Sequence, residues 1–230
     1  MSMVADRLAR LSQKVRPWVP FTALNTVGRS LSKGTRSILD VGCGDGEPMK
    51  FINRRRRFYA VGADIFEPYL QDCRRQENHG DLVRCDVRHL PFQAKSFDVV
   101  LCMELLEHLD EAAGRNLIGR LEEIARRRVI ISTPAGKHEQ HEYDDNPHQE
   151  HKHIWHPAEM KRLGYEVRGH GLRNLGGMSG RQSPLPRLLR PLVDVAWVLA
   201  GPLVYFRPAW GGNMVCTKTL GTIEQRSSRA

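Results

Sequence analysis

Short apolar runs alternate with longer amphipathic stretches along most of this chain. Strands are expected at 37–41, 58–63, 81–85, 97–102, 128–132, 165–170 and 213–217, and helices at 3–15, 47–55, 67–76, 111–125 and 157–163. The runs at 97–102 and 129–131 are mostly continuous rather than alternating, the pattern of strands covered on both faces. Pro48 does not disqualify the helix at 47–55, because the first helical turn has no use for the missing N–H. Strands separated by helical segments imply right-handed βαβ units. The expected fold is α/β, a doubly wound, seven-stranded, mostly parallel sheet with helices on both faces, in a single domain over 1–230 without internal repeats.

Composition agrees with a soluble globular chain. Its 230 residues are 40% hydrophobic and 27% charged, enough for a full core. Cys43, Cys73, Cys85, Cys102 and Cys216 contain no C-x-x-C pair, which suits a reducing, cytoplasmic setting. Arg7, Arg10, Lys14 and Arg16 are not followed by a continuous apolar segment, so no cleaved secretory signal is expected. A net charge of +9 raises the question of nucleic acid or an anionic membrane. The two basic runs, Arg54 to Arg57 and Arg126 to Arg128, each follow an expected helix, where cations are favoured in any case. No basic groove interleaved with aromatics is visible, so nucleic acid is not the favoured partner.

Candidate chemistry concentrates where the first strand ends. Residues 38–46 read Ile-Leu-Asp-Val-Gly-Cys-Gly-Asp-Gly, with Gly42, Gly44 and Gly46 at alternate positions around Cys43. Such a turn lets backbone N–H groups approach a ligand closely. Asp64 ends the second strand about 20 residues later, where an acid meets ribose hydroxyls in nucleotide-binding βαβ units. The dinucleotide fingerprint is G-x-G-x-x-G, and here the third glycine comes one position early, followed by Glu47 and Pro48. Asp40, Asp45 and Glu47 add negative charge, a poor setting for a pyrophosphate and a tolerable one for an ammonium and a sulfonium. The electrostatics therefore favour S-adenosylmethionine over NAD.

The segment resembles the first motif of the class I, Rossmann-like, S-adenosylmethionine-dependent methyltransferases, and further matches follow in register. Asp64 is one; Asp86 before Leu90-Pro91-Phe92 is another; Ser96 to Cys102 running into Glu104-Leu105-Leu106-Glu107-His108-Leu109 is a third. The resemblance covers roughly residues 36–175 and implies a donor site. Gly42, Cys43, Gly44 and Gly46 would hold the methionine part, with Asp40 facing its amino-acid end. Asp64 would bind the ribose, Asp86 with Val87 the adenine amino group, and Ile65 would pack on adenine. Cys102 and Met103 would line the pocket with their backbone. Methyl transfer from sulfur is an in-line displacement whose main demand is orientation, so no particular catalytic side chain is implied. S-adenosyl-L-homocysteine would be the product.

Acceptor recognition is expected in what the chain adds to that shared core. Loop 134–156 holds six of the ten histidines and resembles the loop that covers the acceptor pocket after the fifth strand of small bacterial methyltransferases, which would make His151, His153 or His156 an acceptor contact. It contains neither H-E-x-x-H nor H-x-x-E-H, so no metal site is assigned. The apolar insertion 176–211 is interrupted by Asp194 and Gly201-Pro202. It reads as a helical lid, a dimer contact or, through 188–206, a peripheral membrane contact. The acceptor expected is a small or lipid-like molecule. The rival readings are a non-catalytic binding module for nucleic acid or membrane, and an NAD-dependent oxidoreductase.

Overall fold

A computed structural model describes residues 19–136, 146–172 and 199–221. The helix expected at 3–15, the middle of loop 134–156 and most of insertion 176–211 lie outside the described residues. The strands are β1 (Ser37–Val41), β2 (Tyr59–Asp64), β3 (Asp81–Arg84), β4 (Phe97–Met103), β5 (Ala125–Pro134), β6 (Glu166–Leu172) and β7 (Gly211–Thr219). The α-helices are α1 (Ala23–Ser30), α2 (Glu47–Ile52), α3 (Glu67–Gln76), α4 (Glu111–Ile124) and α5 (Pro157–Arg162). One seven-stranded sheet runs in the order β3-β2-β1-β4-β5-β7-β6. β7 is antiparallel to both of its neighbours, and the pairings from β3 through β5 are parallel.

Alternate residues along each central strand point to opposite faces, and the two faces build separate cores. Leu39, Val41, Val100, Cys102, Val129 and Ile131 pack with Leu117, Leu121 and Ile124 of α4 and with Trp155. Ile38, Val99, Leu101 and Ile130 pack with Val27 of α1 and with Met49 and Ile52 of α2. Continuous apolar strands are thus explained by cover on both sides.

Two differences from expectation have local causes. Helix α2 stops at Ile52 rather than 55 because the Asn53 side chain donates to the Phe58 and Asn78 carbonyls at 2.9 and 3.2 Å and accepts from the Phe58 N–H at 3.1 Å. Strand β5 begins at Ala125, directly after α4, so the run Arg126 to Arg128 belongs to a strand and not to a solvated helix end. Those arginines are anchored: Arg126 and Arg127 lie 3.6 and 3.9 Å from Asp98, and Arg128 donates to the Ser30 carbonyl. Helix α1 follows the helix expected at 3–15, in the amino-terminal segment 1–35 where helix is expected; Thr22 caps it by accepting from the Asn25 N–H at 3.3 Å, and its short apolar stripe, Ala23, Leu24 and Val27, packs on the second core.

Residues 199–206 are helical and lie on β6. Gly169 permits this approach, since a Cβ there would stand 2.5 Å from the Val204 carbonyl oxygen and 2.7 Å from Pro208 Cα.

Candidate functional site

Strand register aligns the carboxyl ends of the central strands. Val41 is level with Ala63 on one side and Cys102 on the other, and Met103 is level with Ser132. Chain order reverses between β1 and β4, the place where open α/β sheets bind ligands. The glycine turn leaves the sheet at this point. Its first N–H groups, from Gly42 and Cys43, both donate to the Ala63 carbonyl, at 2.8 and 3.1 Å.

All three glycines of the turn adopt positive φ, +70° at Gly42, +53° at Gly44 and +82° at Gly46, but for different reasons. A Cβ on Gly42 would meet the Leu105 side chain at 2.9 Å, and one on Gly46 would meet Cys73 Sγ at 2.8 Å. Around Gly44 there is nothing within 4 Å of that position. Packing therefore demands the outer two glycines, while the middle one borders open space. Its N–H donates to Asp64 Oδ2 at 2.9 Å, and the Phe66 N–H donates to Oδ1 at 2.9 Å. Burial raises the Asp64 carboxyl above its ordinary range, against these backbone donors. The turn and the acid that ends β2 are one hydrogen-bonded unit.

Asp40 has a partner that its place in the sequence does not announce. It is buried beneath the turn, with Oδ2 3.0 Å from His79 Nε2, while His79 Nδ1 lies 3.2 Å from Cys73 Sγ. Burial opposes charge on His79, yet the bonds to Asp40 and Cys73 outweigh it and push the imidazole up to about 9. Cys73 is drawn down to about 6 by its bond from Cys43, against desolvation and with help from His79. Cys43 is raised by that same bond and by burial. Asp40, His79 and Cys73 thus form one buried hydrogen-bonded chain, while Asp45 accepts from the Glu47 N–H at 3.0 Å. His79 precedes β3 by itself, with no spacing that ties it to Asp40, 39 residues away.

The other anticipated residues fall around the same strand ends. Asp86 caps a short 3₁₀ turn by accepting from the Arg88 N–H at 2.9 Å and is clasped by the Arg88 guanidinium, with Nε 3.0 and 2.9 Å from its oxygens. That bond to Arg88 holds its carboxyl below the usual range, against partial desolvation. Val87 is buried in the core beside α4, the Cys102 side chain is wholly buried, and Ile65 and Met103 are half-buried. A surface depression of about 670 Å³ lined by Val87, Arg88, Leu90, Arg115 and Arg120 contains no residue of the glycine turn. The candidate site is marked by its backbone chemistry and not by the size of a cavity.

Just beyond β4 lie two acids, Glu104 and Glu107, that the motif spacing leaves without a role. Glu104, at φ +50°, accepts from the Ser132 hydroxyl at 2.7 Å and from Asn213 Nδ2 at 3.3 Å. Glu107 is buried and accepts from the Thr133 hydroxyl at 3.0 Å. Desolvation raises both carboxyls, and for Glu107 the nearby Glu104 charge adds to the effect. From loop 134–156, His151 and His153 are half-buried near these acids' chain segment, whereas His156 is an exposed residue preceding α5. His138 and His141 lie outside the described residues.

Comparison with known proteins agrees with the geometry. The methyltransferase-domain family matches residues 39–127, which contain the glycine turn, Asp64, Asp86 and β4. Over these residues the chain is similar to methyltransferase domains. An uncharacterized protein of Methanocaldococcus jannaschii is 33% identical over 84 residues, covering 36% of this chain and 35% of that protein. A ubiquinone biosynthesis O-methyltransferase of Hahella chejuensis is 38% identical over 87 residues, covering 34% of this chain and 35% of the relative. The chain thus spans about a third of the length of the curated relatives it matches. A SAM-dependent methyltransferase from Archaeoglobus fulgidus shares the fold, with a TM-score of 0.54 at 19% identity over 91% of this chain and 93% of that one. The open space beside Gly44, which a Cβ would enter, leaves room for a ligand against the backbone of the turn.

Proposed function

We propose that this methyltransferase moves a methyl group from S-adenosylmethionine to an oxygen on a small or lipid-like acceptor. The observation that carries the reading is the open-sided glycine turn fastened to Asp64 through the Gly44 N–H. In this reading the turn, Gly42 to Gly46 with Cys43, holds the methionine end. Asp64 keeps lone pairs for ribose hydroxyls after accepting from Gly44 and Phe66. Asp86 and the Val87 backbone meet the adenine edge, Ile65 lies on the adenine face, and the backbone of Cys102 and Met103 closes the pocket. Asp40 acts from beneath, through His79 and Cys73, by holding the turn in shape and not by touching the ligand.

The bound donor supplies an activated methyl on a sulfonium. The chain's own task is to hold the acceptor atom in line with it, and orientation of this kind supplies many kcal/mol. A hydroxyl acceptor also needs its proton removed, for which a histidine of loop 134–156 is the candidate base. An oxygen acceptor is favoured by the O-methyltransferase relatives, which share the donor-binding third of this chain. A lipid-like one is favoured by the exposed Leu199, Leu203, Phe206 and Trp210, with Arg207 beside Trp210. Incubation with isotopically methyl-labelled donor and a panel of phenols, enols and lipid-soluble alcohols, read by mass spectrometry, tests this. Label appearing only on amine or carbon acceptors would remove the oxygen assignment. Flotation with anionic liposomes at low salt tests the surface, and a chain that stays with the soluble fraction rules the membrane contact out.

A further inference from the structure

The chemistry that the donor site leaves unused lies where the segment after β4 meets the end of loop 134–156. Glu107, His108 and His151 each present one ligand atom there, and all three atoms lie within 4.8 Å of one another. The first two residues are buried and the third is half-buried. No local spacing announces this set, because His151 stands 43 residues beyond His108 and is brought in by the fold.

We infer that Glu107, His108 and His151 form a binding site for one divalent transition-metal cation. His108 Nδ1 lies 3.1 Å from the Glu150 carbonyl oxygen, which can only accept, so Nδ1 carries the proton and Nε2 carries the lone pair. A backbone carbonyl that fixes the tautomer in this way is the usual support of a metal-ligating histidine. The Glu107 carboxylate is oriented by the Thr133 hydroxyl at 3.0 Å. His151 is brought alongside by backbone bonds on both flanks: Glu150 accepts from His108, and the N–H groups of Lys152 and His153 donate to the Glu107 carbonyl at 2.8 and 3.2 Å. The two imidazole rings lie 5.0 Å apart at 62°.

Charge points the same way. Among the described residues, Glu107 has no ion pair with Lys or Arg, and a buried carboxylate without a cation is costly. A divalent ion would compensate it, and one carboxylate with two imidazoles is a donor set suited to zinc, manganese, iron or cobalt rather than to magnesium or calcium. Donors held about 2.1 Å from one ion lie within about 4.2 Å of one another, close to the spacing already present here. Three protein donors leave a coordination position open.

The test is calorimetric titration of the chelator-treated chain, free of any affinity tag, with zinc, manganese and magnesium chlorides in turn. Its readout needs no methyl donor, so its result is independent of the methyl-transfer reading. The expected result is one equivalent of zinc or manganese bound in preference to magnesium, with a raised melting temperature. Glu107→Gln and His151→Ala should each weaken binding by more than about tenfold, the least that loss of a ligand costs when outer partners alone cost that much. Glu107→Gln keeps the side-chain volume and His151→Ala truncates a half-buried residue, and their unliganded melting curves report whether they fold. His156→Ala, an exposed histidine of the same loop, should bind as the wild type does. Failure to bind a stoichiometric ion would overturn the inference. So would retention of wild-type affinity in both variants, or loss of binding in Cys73→Ser with His151→Ala unaffected.

Discussion

Replacing Gly44 by Ala separates what the fold needs from what the ligand needs. At φ +53° an alanine costs about 1–2 kcal/mol, offset in part by its smaller unfolded-state entropy, about 0.4–1 kcal/mol. Nothing lies within 4 Å of the new Cβ, so no packing penalty is added. The net loss is about 1 kcal/mol, a fall in Tm of roughly 2–4 °C for a chain of this size. The same methyl occupies the open side of the turn, where a bound donor would touch backbone, and its affinity for S-adenosylmethionine should fall more than about tenfold, or about 1.4 kcal/mol. Gly42→Ala is the contrast. Its Cβ would meet three Leu105 atoms at 2.9 to 3.0 Å, adding an overpacking cost of about 1–3 kcal/mol, so it should be the less stable of the two. Denaturant titration and calorimetry on both proteins give the two quantities. Wild-type affinity in Gly44→Ala, or a Gly44→Ala protein less stable than Gly42→Ala, would refute the reasoning.

Three further outcomes are expected. Burial holds His170 down at about 4 despite its bond to the Phe21 carbonyl, so the unfolded chain binds more protons between about 4 and 6.5; stability is complete above that window and is lost as pH falls through it. His170→Gln should remove up to about 3 kcal/mol of this dependence, visible as a flatter stability profile over pH 4–6.5 than in the wild type. Gly169→Ala places a Cβ 2.5 Å from the Val204 carbonyl oxygen and should loosen the helical segment 199–206, raising amide hydrogen exchange there while β1 and β4 stay protected. Trp155→Ala removes a wholly buried indole that donates to the Leu106 carbonyl at 3.2 Å, with an expected loss of about 3–5 kcal/mol on denaturant titration.

The parallel half of the sheet is legible because its strands are short and apolar and each is followed by a turn or a helix, so period and length agree. The glycine turn and Asp64 are legible for a different reason, since their spacing is itself a consequence of one βαβ unit. What was not legible depends on side chains distant in sequence. The His79 partner of Asp40 has no mark in the sequence, and Arg126 to Arg128 read as a helix end until Asp98 and Ser30 are seen to hold them in β5. Helix α1 is hidden because its apolar stripe is only two turns long, and tertiary contact through Val27 stabilises it. Glu107, His108 and His151 meet only because backbone bonds lace residues 150–153 to the segment after β4.

The central claim is that the glycine turn and Asp64 bind a methyl donor, and parallel calorimetry with S-adenosylmethionine, S-adenosylhomocysteine and NAD tests it most directly. Both sulfur ligands should bind the wild-type chain, NAD should not, and Asp64→Ala should lose the sulfur ligands while remaining folded. Binding of NAD alone, or sulfur-ligand affinity untouched by Asp64→Ala, would contradict it.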